Sequence, residues 1–568
     1  MSNEELLLDG YENMKLCRYD EKGGKLISYD ELADLSVNGV LKACYHKNGK
    51  LYLRFSEQDS HVCVVAATGL GKTTSYVAQQ INVFIRQKDK RSLFISDPKG
   101  ELYHLFAALF KANEYDVRLY NFRNPMNSEY WNPFVPVYRK YQKAFEIYDE
   151  VGTVKTEDGI FNTFRGKVYK NQYELDEVLR IQHELMLSDV GDDIDRLTLI
   201  MIQTRSTKDP SWEDSAREYA RGVLWGMLED SREENLTSKE NDYSMRQLIT
   251  EELFSLTTLL RIVNCFVDSN AFDDKGFFTS RDENSRAKQY VQSIILENAP
   301  VTRHGIISCF TAGISAFKEN AMRLIMCANS VDFTTIMDKP TVIFVNYKDE
   351  VKAHYQVISM MVQDLYCTLI EKANKSGGKL KVPFCFILDE FGNFPKITDF
   401  DTTISACRGR NIFFILIIQS YAQLNNVYGN DVAEIIRDNL NVHVFFGSNN
   451  PNTLEEFSRE CGSKARFSPL GALNGNSSEI DNFQIEVIPL MPKSELSHFR
   501  LGECVITEAN SGHILWSKIE RYYLCKEFDN LELSDLSDYK GAINPLDKKY
   551  IFTREERKFE KRKFDWDF

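Results

Sequence analysis

The sequence lacks a hydrophobic run long enough to cross a bilayer. Its most apolar stretch, NIFFILIIQS at 411–420, is about half as long as the ~20 residues that a membrane-spanning helix requires. The N-terminus, MSNEELLLDGYE, is acidic, whereas a secretory signal begins with basic residues and continues with an apolar segment. We therefore expect a cytoplasmic chain without a membrane anchor of its own.

Paired cysteine motifs and an excess of basic residues are missing as well. The twelve cysteines are scattered and none has C-x-x-C spacing, so the sequence predicts neither a zinc site nor a disulfide framework. The formal net charge is −14, which argues against a surface that coats DNA generally, because such binding depends on neutralising phosphates. A local basic channel is compatible with this charge.

A phosphate-binding loop is indicated by VVAATGLGKTTSYVAQQ at 64–80, where an apolar run, a glycine-rich turn and a helical pattern follow one another. Such a loop directs backbone N–H groups at a phosphate at a helix N-terminus; its lysine reaches the β- and γ-phosphates, and its hydroxyl binds Mg²⁺. Ala66 replaces the usual leading glycine, which is acceptable unless a positive φ is needed there. The alternative is an ordinary glycine-rich turn between a strand and a helix, without a ligand. The predicted nucleotide-binding residues are Thr68, Gly69, Leu70, Gly71, Lys72, Thr73 and Thr74.

A second signal lies far along the chain, where the apolar run FCFIL ends in Asp389-Glu390. In a nucleotide hydrolase of this kind Asp389, with Thr73, would bind Mg²⁺ and Glu390 would activate the attacking water. Gln419 ends the next apolar run and suits a γ-phosphate sensor or an ordinary strand end. Arg408 and Arg410 precede that run; one could act on the nucleotide of a neighbouring subunit, or both could be surface charges.

Strand and helix patterns alternate from 61 to about 122, and Asp97-Pro98 is expected to begin a helix. Helical patterns dominate from about 140 to 335, and strand patterns return at 341–347, 382–391, 411–420 and 441–448. This order predicts a parallel α/β domain interrupted by a helical insertion. The acidic LSDVGDDID at 187–195 reads as a solvated turn, with a cation-binding loop as the less favoured alternative.

Several stretches, taken together and in order, resemble the TraG-like type IV coupling proteins of conjugation and type IV secretion, over about 61–525. The matching stretches are ATGLGKTT, SDPKGELY, YWNPF, DPSWEDSAREYARGVLW, KPTVIFVNY, FILDEFGNFPKI, GRNIFFILIIQSYAQL, IPLMPKSELSHFRLGECVI and IERYY. The resemblance implies a RecA-like P-loop ATPase with an inserted all-α domain. The domains it suggests are 1–60, a β-rich leader; 61–139 and 336–535, the two halves of the nucleotide-binding domain; 140–335, the all-α domain; and 536–568, a charged tail.

The resemblance also implies residue roles. Lys72 and Thr73 would hold ATP and Mg²⁺, Asp389 and Glu390 would serve hydrolysis, and Gln419 would be the sensor. Arg408 best matches the arginine that such proteins supply to a neighbouring subunit, with Arg410 second.

The implied activity is ATP-driven movement of single-stranded DNA with its attached relaxase to a type IV secretion channel, by a homo-hexamer whose inserted helices recognise substrates. Members of the family usually carry an N-terminal membrane anchor, and this sequence shows none. Either the chain was cut after the anchor, or it is a soluble member that reaches the cytoplasmic face of the membrane through an adaptor protein; we expect the second. The residues 141–205 have no counterpart that the resemblance explains. Two alternatives are an FtsK- or HerA-like duplex translocase, which shares the ATPase core, and a docking receptor that does not hydrolyse ATP.

Overall fold

The structure is a computed structural model and describes residues 15–18, 25–34, 39–56, 58–157, 159–203, 210–236, 246, 248–268, 277–296, 300–336, 338–469, 483–509, 511 and 513–542. The strands are β1 (Lys15–Arg18), β2 (Lys25–Ser28), β3 (Leu41–Lys47), β4 (Lys50–Phe55), β5 (Val62–Ala66), β6 (Ser92–Ser96), β7 (Asp116–Asn121), β8 (Gly152–Thr156), β9 (Gly159–Phe164), β10 (Lys167–Tyr169), β11 (Thr341–Asn346), β12 (Phe384–Leu388), β13 (Ile412–Ile418), β14 (Val442–Gly447), β15 (Ser463–Pro469), β16 (Phe483–Pro489), β17 (Glu503–Glu508) and β18 (His513–Lys518).

The helices are α1 (Ala78–Arg86), α2 (Glu101–Ala112), α3 (Val135–Glu146), α4 (Gln172–Met201), α5 (Ser211–Glu229), α6 (Leu256–Asp268), α7 (Arg286–Leu296), α8 (Pro300–Gly313), α9 (Asn320–Ile325), α10 (Lys352–Lys375), α11 (Phe400–Cys407), α12 (Tyr421–Tyr428), α13 (Asn430–Asn439), α14 (Pro451–Glu460) and α15 (Lys493–Leu496). None of the helices in the described part of the chain is both long enough and apolar enough to span a membrane.

A ten-stranded sheet forms the centre of the fold, in the order β1-β18-β17-β14-β5-β13-β12-β6-β11-β7. The strands from β14 to β11 in this order run parallel to one another, and β17 is antiparallel to both of its neighbours. Every residue of β5, β6, β11, β12, β13 and β14 is buried. Strands covered on both faces have near-continuous apolar sequences, which is why these six were predictable and are confirmed.

The chain divides into two compact units. The first contains the described residues of Met1–Leu119, Phe333–Asp349 and Leu365–Tyr539, and the second those of Tyr120–Asp332, Glu350–Asp364 and Lys540–Phe568. The boundaries inferred from sequence at 60, 139, 335 and 535 stay predictions, and most of the predicted charged tail lies outside the described residues.

The second unit is mainly helical but also contains a small antiparallel sheet in the order β10-β9-β8. The sequence predicted a mostly helical insertion, and these short strands at 152–169 were not predicted. Arg165 and Gly166 join β9 to β10 with φ angles of 48° and 81°, which is the backbone of a type I′ hairpin turn. Arginine is uncommon at such a position, and the turn was therefore missed.

The acidic stretch at 187–195 was also misread, because it is part of the thirty-residue helix α4. Asp193 lies 2.7 Å from Lys140 Nζ and 2.7 Å from Arg196 Nη2. Lys140 and Arg196 neutralise the Asp193 carboxylate. The presence of this acid in the sequence therefore requires neither a solvated turn nor a cation-binding loop. The sequence pattern alone did not show that basic partners lay one helical turn away and on a neighbouring helix.

Candidate active site

The predicted phosphate-binding loop follows β5 at the carboxyl edge of the parallel strands. Gly69 and Gly71 have φ angles of 86° and 90°, values that residues with a Cβ adopt only at a cost. The loop leads into a helical turn at Thr73–Val77 and then into α1. The loop therefore meets the N-terminus of a helix, where backbone N–H groups and the helix dipole favour an anion.

Ala66 is the last residue of β5 and is fully buried. An extended strand residue has a negative φ, so the position does not require glycine. The next residue, Ala67, donates its N–H to the carbonyl of Gly447 over 3.0 Å, which ties the start of the loop to β14. The departure from the usual motif thus leaves the loop backbone intact.

Lys72 meets both predicted acids. Its Nζ forms a short hydrogen bond with Glu390 and lies 3.2 Å from Asp389 Oδ1. Burial by itself would lower the pKa of Lys72, but the charges of Asp389 and Glu390 outweigh it and raise the pKa. The lysine therefore keeps its positive charge at neutral pH and is available to a phosphate group.

Thr73 and Asp389 form the pair expected to hold a metal ion. The Thr73 hydroxyl donates to Asp389 Oδ2 over 3.2 Å, and burial raises the pKa of Asp389. A hydroxyl and a carboxylate are hard oxygen donors, and Mg²⁺ in nucleotide sites is held by one or two such groups together with phosphate oxygens. The residues present therefore fit Mg²⁺.

Glu390 is held in an unusual backbone conformation directly after β12. Its φ is 55°, which is uncommon for a residue other than glycine and is found at sites where the surrounding structure holds it. Its N–H donates to Asp389 Oδ1 over 2.9 Å, and its Oε2 accepts from Gln419 Nε2 over 3.0 Å. The turn thus directs Glu390 toward Lys72 and Gln419.

Arg408 is placed away from this cluster. It precedes β13, whereas Gln419 follows that strand, so the two residues lie at opposite edges of the sheet. Arg408 is exposed and donates to Gln58 over 3.4 Å, whereas Arg410 donates to the Ala406 carbonyl over 2.8 Å. Neither arginine can act on the nucleotide site of its own chain, and Arg408 is the less engaged of the two.

Two residues at this edge of the sheet were not assigned to the site from the sequence. Asp97, after β6, is buried, and burial raises its pKa to about 7. Arg521, after β18, faces Gly71: a Cβ built on that glycine would lie 3.2 Å from Nε and Nη2 of the arginine. The stretch IERYY containing Arg521 was noticed as a family-like motif, but nothing in its spacing indicated proximity to the loop.

A parallel sheet with a phosphate-binding loop at its carboxyl edge, two acids at the same edge after β12, which is separated from β5 by β13, and an inserted helical unit defines a RecA-like P-loop nucleotide-binding protein. The chain matches the family model for Type IV secretory system Conjugative DNA transfer over residues 22–542, and it belongs to that family. The resemblance found in the sequence is thereby confirmed.

Solved structures agree with this fold. The bacterial conjugative coupling protein TrwBΔN70 in its unbound monoclinic form is 14% identical, with a TM-score of 0.53 over 90% of this chain and 96% of that chain. TrwB in complex with the ATP analogue ADPNP is 14% identical, with a TM-score of 0.55 over 92% and 96%. TrwB with ADP and Mg²⁺ is 14% identical, with a TM-score of 0.50 over 88% and 94%. No curated protein matches the chain by sequence comparison.

Proposed function

We propose that the protein hydrolyses ATP and uses the energy to move single-stranded DNA, with its attached relaxase, toward a type IV secretion channel. One observation carries the proposal: Lys72 and Glu390 are 318 residues apart in the chain and are hydrogen-bonded at one edge of the sheet. A lysine, a hydroxyl, two carboxylates and an amide meet there, and this is the group of side chains that phosphoryl transfer requires.

In this proposal each residue of the site has its own role in ATP hydrolysis. The loop from Thr68 to Thr74 binds the phosphates through its backbone, and Lys72 exchanges its carboxylate partners for the β- and γ-phosphates. Glu390 accepts a proton from the attacking water, and Gln419, bonded to Glu390, orients that carboxylate toward the γ-phosphate. Thr73 and Asp389 would hold Mg²⁺, which when bound offsets the negative charge of the phosphates.

The working form is a homo-hexamer, with the nucleotide at the boundary between subunits. Arg408 supports this proposal, because it is exposed and lies across the sheet from the site of its own chain. A neighbouring subunit would present it to the γ-phosphate, where an arginine supplied in trans contributes roughly 10³–10⁵ in rate. The helical unit would recruit the relaxase, and an adaptor protein would hold the hexamer at the cytoplasmic face of the membrane.

The deciding experiment measures the ATPase rate against protein concentration, with and without single-stranded DNA. We expect the rate per chain to rise with concentration as subunits assemble, and to rise further with single-stranded DNA. Lys72→Ala should be inactive, and Lys379→Ala, an exposed lysine far from the loop, should match the wild type. Stimulation by duplex DNA alone would favour a duplex translocase. If the protein hydrolyses no ATP at any concentration, the remaining alternative is a docking receptor that does not hydrolyse ATP.

A further inference from the structure

Arg521 approaches the phosphate-binding loop with one edge of its guanidinium group. Nε and Nη2 face Gly71, while Nη1 donates to the hydroxyl of Tyr523. Nε is buried and makes no hydrogen bond with any described residue. Arg521 itself is partly buried, and a buried N–H donor without a hydrogen-bond partner carries a desolvation cost. The surroundings of Arg521 therefore suit an anion.

The segment that carries Arg521 is fixed to the helix that follows the loop. Gln79 of α1 donates to the Glu520 carbonyl over 3.0 Å and contacts Cys525 Sγ at 3.3 Å. The carboxylate of Glu520 lies 2.6 Å from His46 Nδ1. Because residues on both sides of Arg521 are bonded to α1 or β3, the guanidinium group is held in place before any ligand arrives.

The strand order places Arg521 on the side of the loop opposite the acids. β13 and β12, which end in Gln419 and Asp389-Glu390, lie on one side of β5, and β14, β17 and β18 lie on the other. β18 runs in the same direction as β5, so its carboxyl end is at the loop edge. A nucleotide with its γ-phosphate at the acids extends its nucleoside end toward Arg521.

Tyr523 supplies an aromatic surface at that end. Its side chain is 50% exposed, and the guanidinium group of Arg521 lies 5.8 Å from the centre of its ring. Tyr522 faces inward instead and packs against Phe528. An exposed ring fixed beside a cation is suited to stacking with a nucleobase, as aromatic side chains do in proteins that bind single-stranded nucleic acids.

We propose that Arg521 and Tyr523 bind the nucleoside end of the nucleotide: Arg521 the phosphate nearest the ribose, and Tyr523 the face of the base. The proposal rests on the function proposed above and adds to it the recognition of the base. Stacking uses the face of a base rather than its edges, so this subsite accepts either purine.

The test compares two ligands by calorimetry in the presence of Mg²⁺: ADP, and inorganic tripolyphosphate, which has no nucleoside. Tyr523→Ala should weaken ADP binding by about 5- to 150-fold and leave tripolyphosphate within twofold of the wild type. Tyr523→Phe should restore ADP binding. Arg521→Ala should weaken both ligands by about 10-fold or more, and Arg521→Lys should recover part of this loss.

Matched controls are Tyr173→Ala and Arg500→Ala, which remove an exposed tyrosine and an exposed arginine elsewhere; both should bind like the wild type. Equal ADP affinity in Tyr523→Ala, Arg521→Ala and the wild type, with Lys72→Ala losing both ligands, would overturn this subsite and leave the ATPase proposal standing. A wild type that binds neither ligand would instead overturn the nucleotide site itself.

Discussion

Lys72 and Glu390 have opposite charges, adjacent positions and different proposed tasks. In the proposed mechanism, Lys72 would bind phosphate in the ground state and in the transition state, whereas Glu390 would act only on the attacking water. Their hydrogen bond holds the Glu390 carboxylate beside the lysine that, in this proposal, binds the γ-phosphate. Removing the charge of Lys72 should therefore affect nucleotide binding and turnover differently from removing the charge of Glu390.

We expect Lys72→Ala to lose both nucleotide binding and turnover, because it removes the cation that meets the phosphates. Glu390→Gln should keep binding within a fewfold and lose at least about 10²-fold in turnover, the lower end of what general-base catalysis contributes. Calorimetry with ADP and steady-state ATPase rates measure the two effects. An equal loss of binding in both variants would contradict this division.

Asp97 gives the site a pH-sensitive neighbour. Burial raises its pKa from 3.8 to about 7, so the folded protein keeps a proton that the unfolded chain releases above about pH 4. The free energy of unfolding should thus fall by about 1.4 kcal/mol per pH unit between about pH 4 and 7 on account of this group, and level off above its folded pKa.

Asp97→Asn should remove this contribution while keeping an oxygen for the Tyr103 N–H, which now donates to Asp97 Oδ2 over 2.8 Å. The variant should gain stability over the wild type as pH rises from 5 to 7, measured by urea unfolding at several pH values. An unchanged difference across this range would mean that Asp97 is ionised in the folded state. Asp529→Asn, at an exposed aspartate, is the matched control.

At the scale of elements, the central strands place the site. β12 lies between β6 and β13, and its aromatic residues Phe384 and Phe386 pack on the same face of the sheet. Phe386 stacks on Phe414, with the two ring centres 4.8 Å apart. The centre of its ring also lies 5.7 Å from the centre of the Phe94 ring. The position of Asp389 and Glu390 depends on this packing, because they directly follow β12.

Phe386→Ala should lower the free energy of unfolding by about 3–5 kcal/mol, as large-to-small changes in well-packed cores do. Phe386→Leu should cost less, because it leaves a smaller cavity. Chemical denaturation followed by fluorescence measures both changes. We also expect weaker ADP binding in the alanine variant, since β12 carries the acids; a stable variant with normal binding would show that the acids are positioned independently of this ring.

The helix after β6 shows how a local backbone feature shifts an element. Asp97-Pro98 was expected to begin the helix, yet α2 starts at Glu101, after Gly100 with a φ of 75°. Asp97 nevertheless serves the helix start, because its carboxylate accepts from the backbone N–H of Tyr103. Asp97 and Pro98 thus indicated correctly that a helix begins nearby. The residue at which it begins depended on the positive φ of Gly100, which the sequence pattern alone did not reveal.

At the scale of the whole molecule, the distance of Arg408 from the site of its own chain leads to a complementation experiment. Arg408→Ala and Lys72→Ala chains should each be inactive alone. When they are mixed, the intact loop of the first chain meets the intact arginine of the second, and ATPase activity should partly return.

The matched control mixes Arg408→Ala with the double variant Lys72→Ala/Arg408→Ala. Neither chain of this mixture has Arg408, so the mixture should not recover activity. Recovery in the first mixture alone supports an arginine supplied in trans. Recovery in neither, with assembly shown by light scattering, would contradict the role of Arg408.

The sequence by itself determined the buried parallel strands, the phosphate-binding loop and the acids that follow β12, because each depends on neighbouring residues: an apolar run, glycines before a lysine, carboxylates at a strand end. Only the tertiary structure decided which distant residues meet. Arg521 faces Gly71 because β18 runs in the same direction as β5 and ends at the same edge of the sheet. Arg408 lies across the sheet because it precedes β13 while Gln419 follows it. Such proximity arises from strand order and direction, which are set by packing between segments hundreds of residues apart and leave little trace in local patterns.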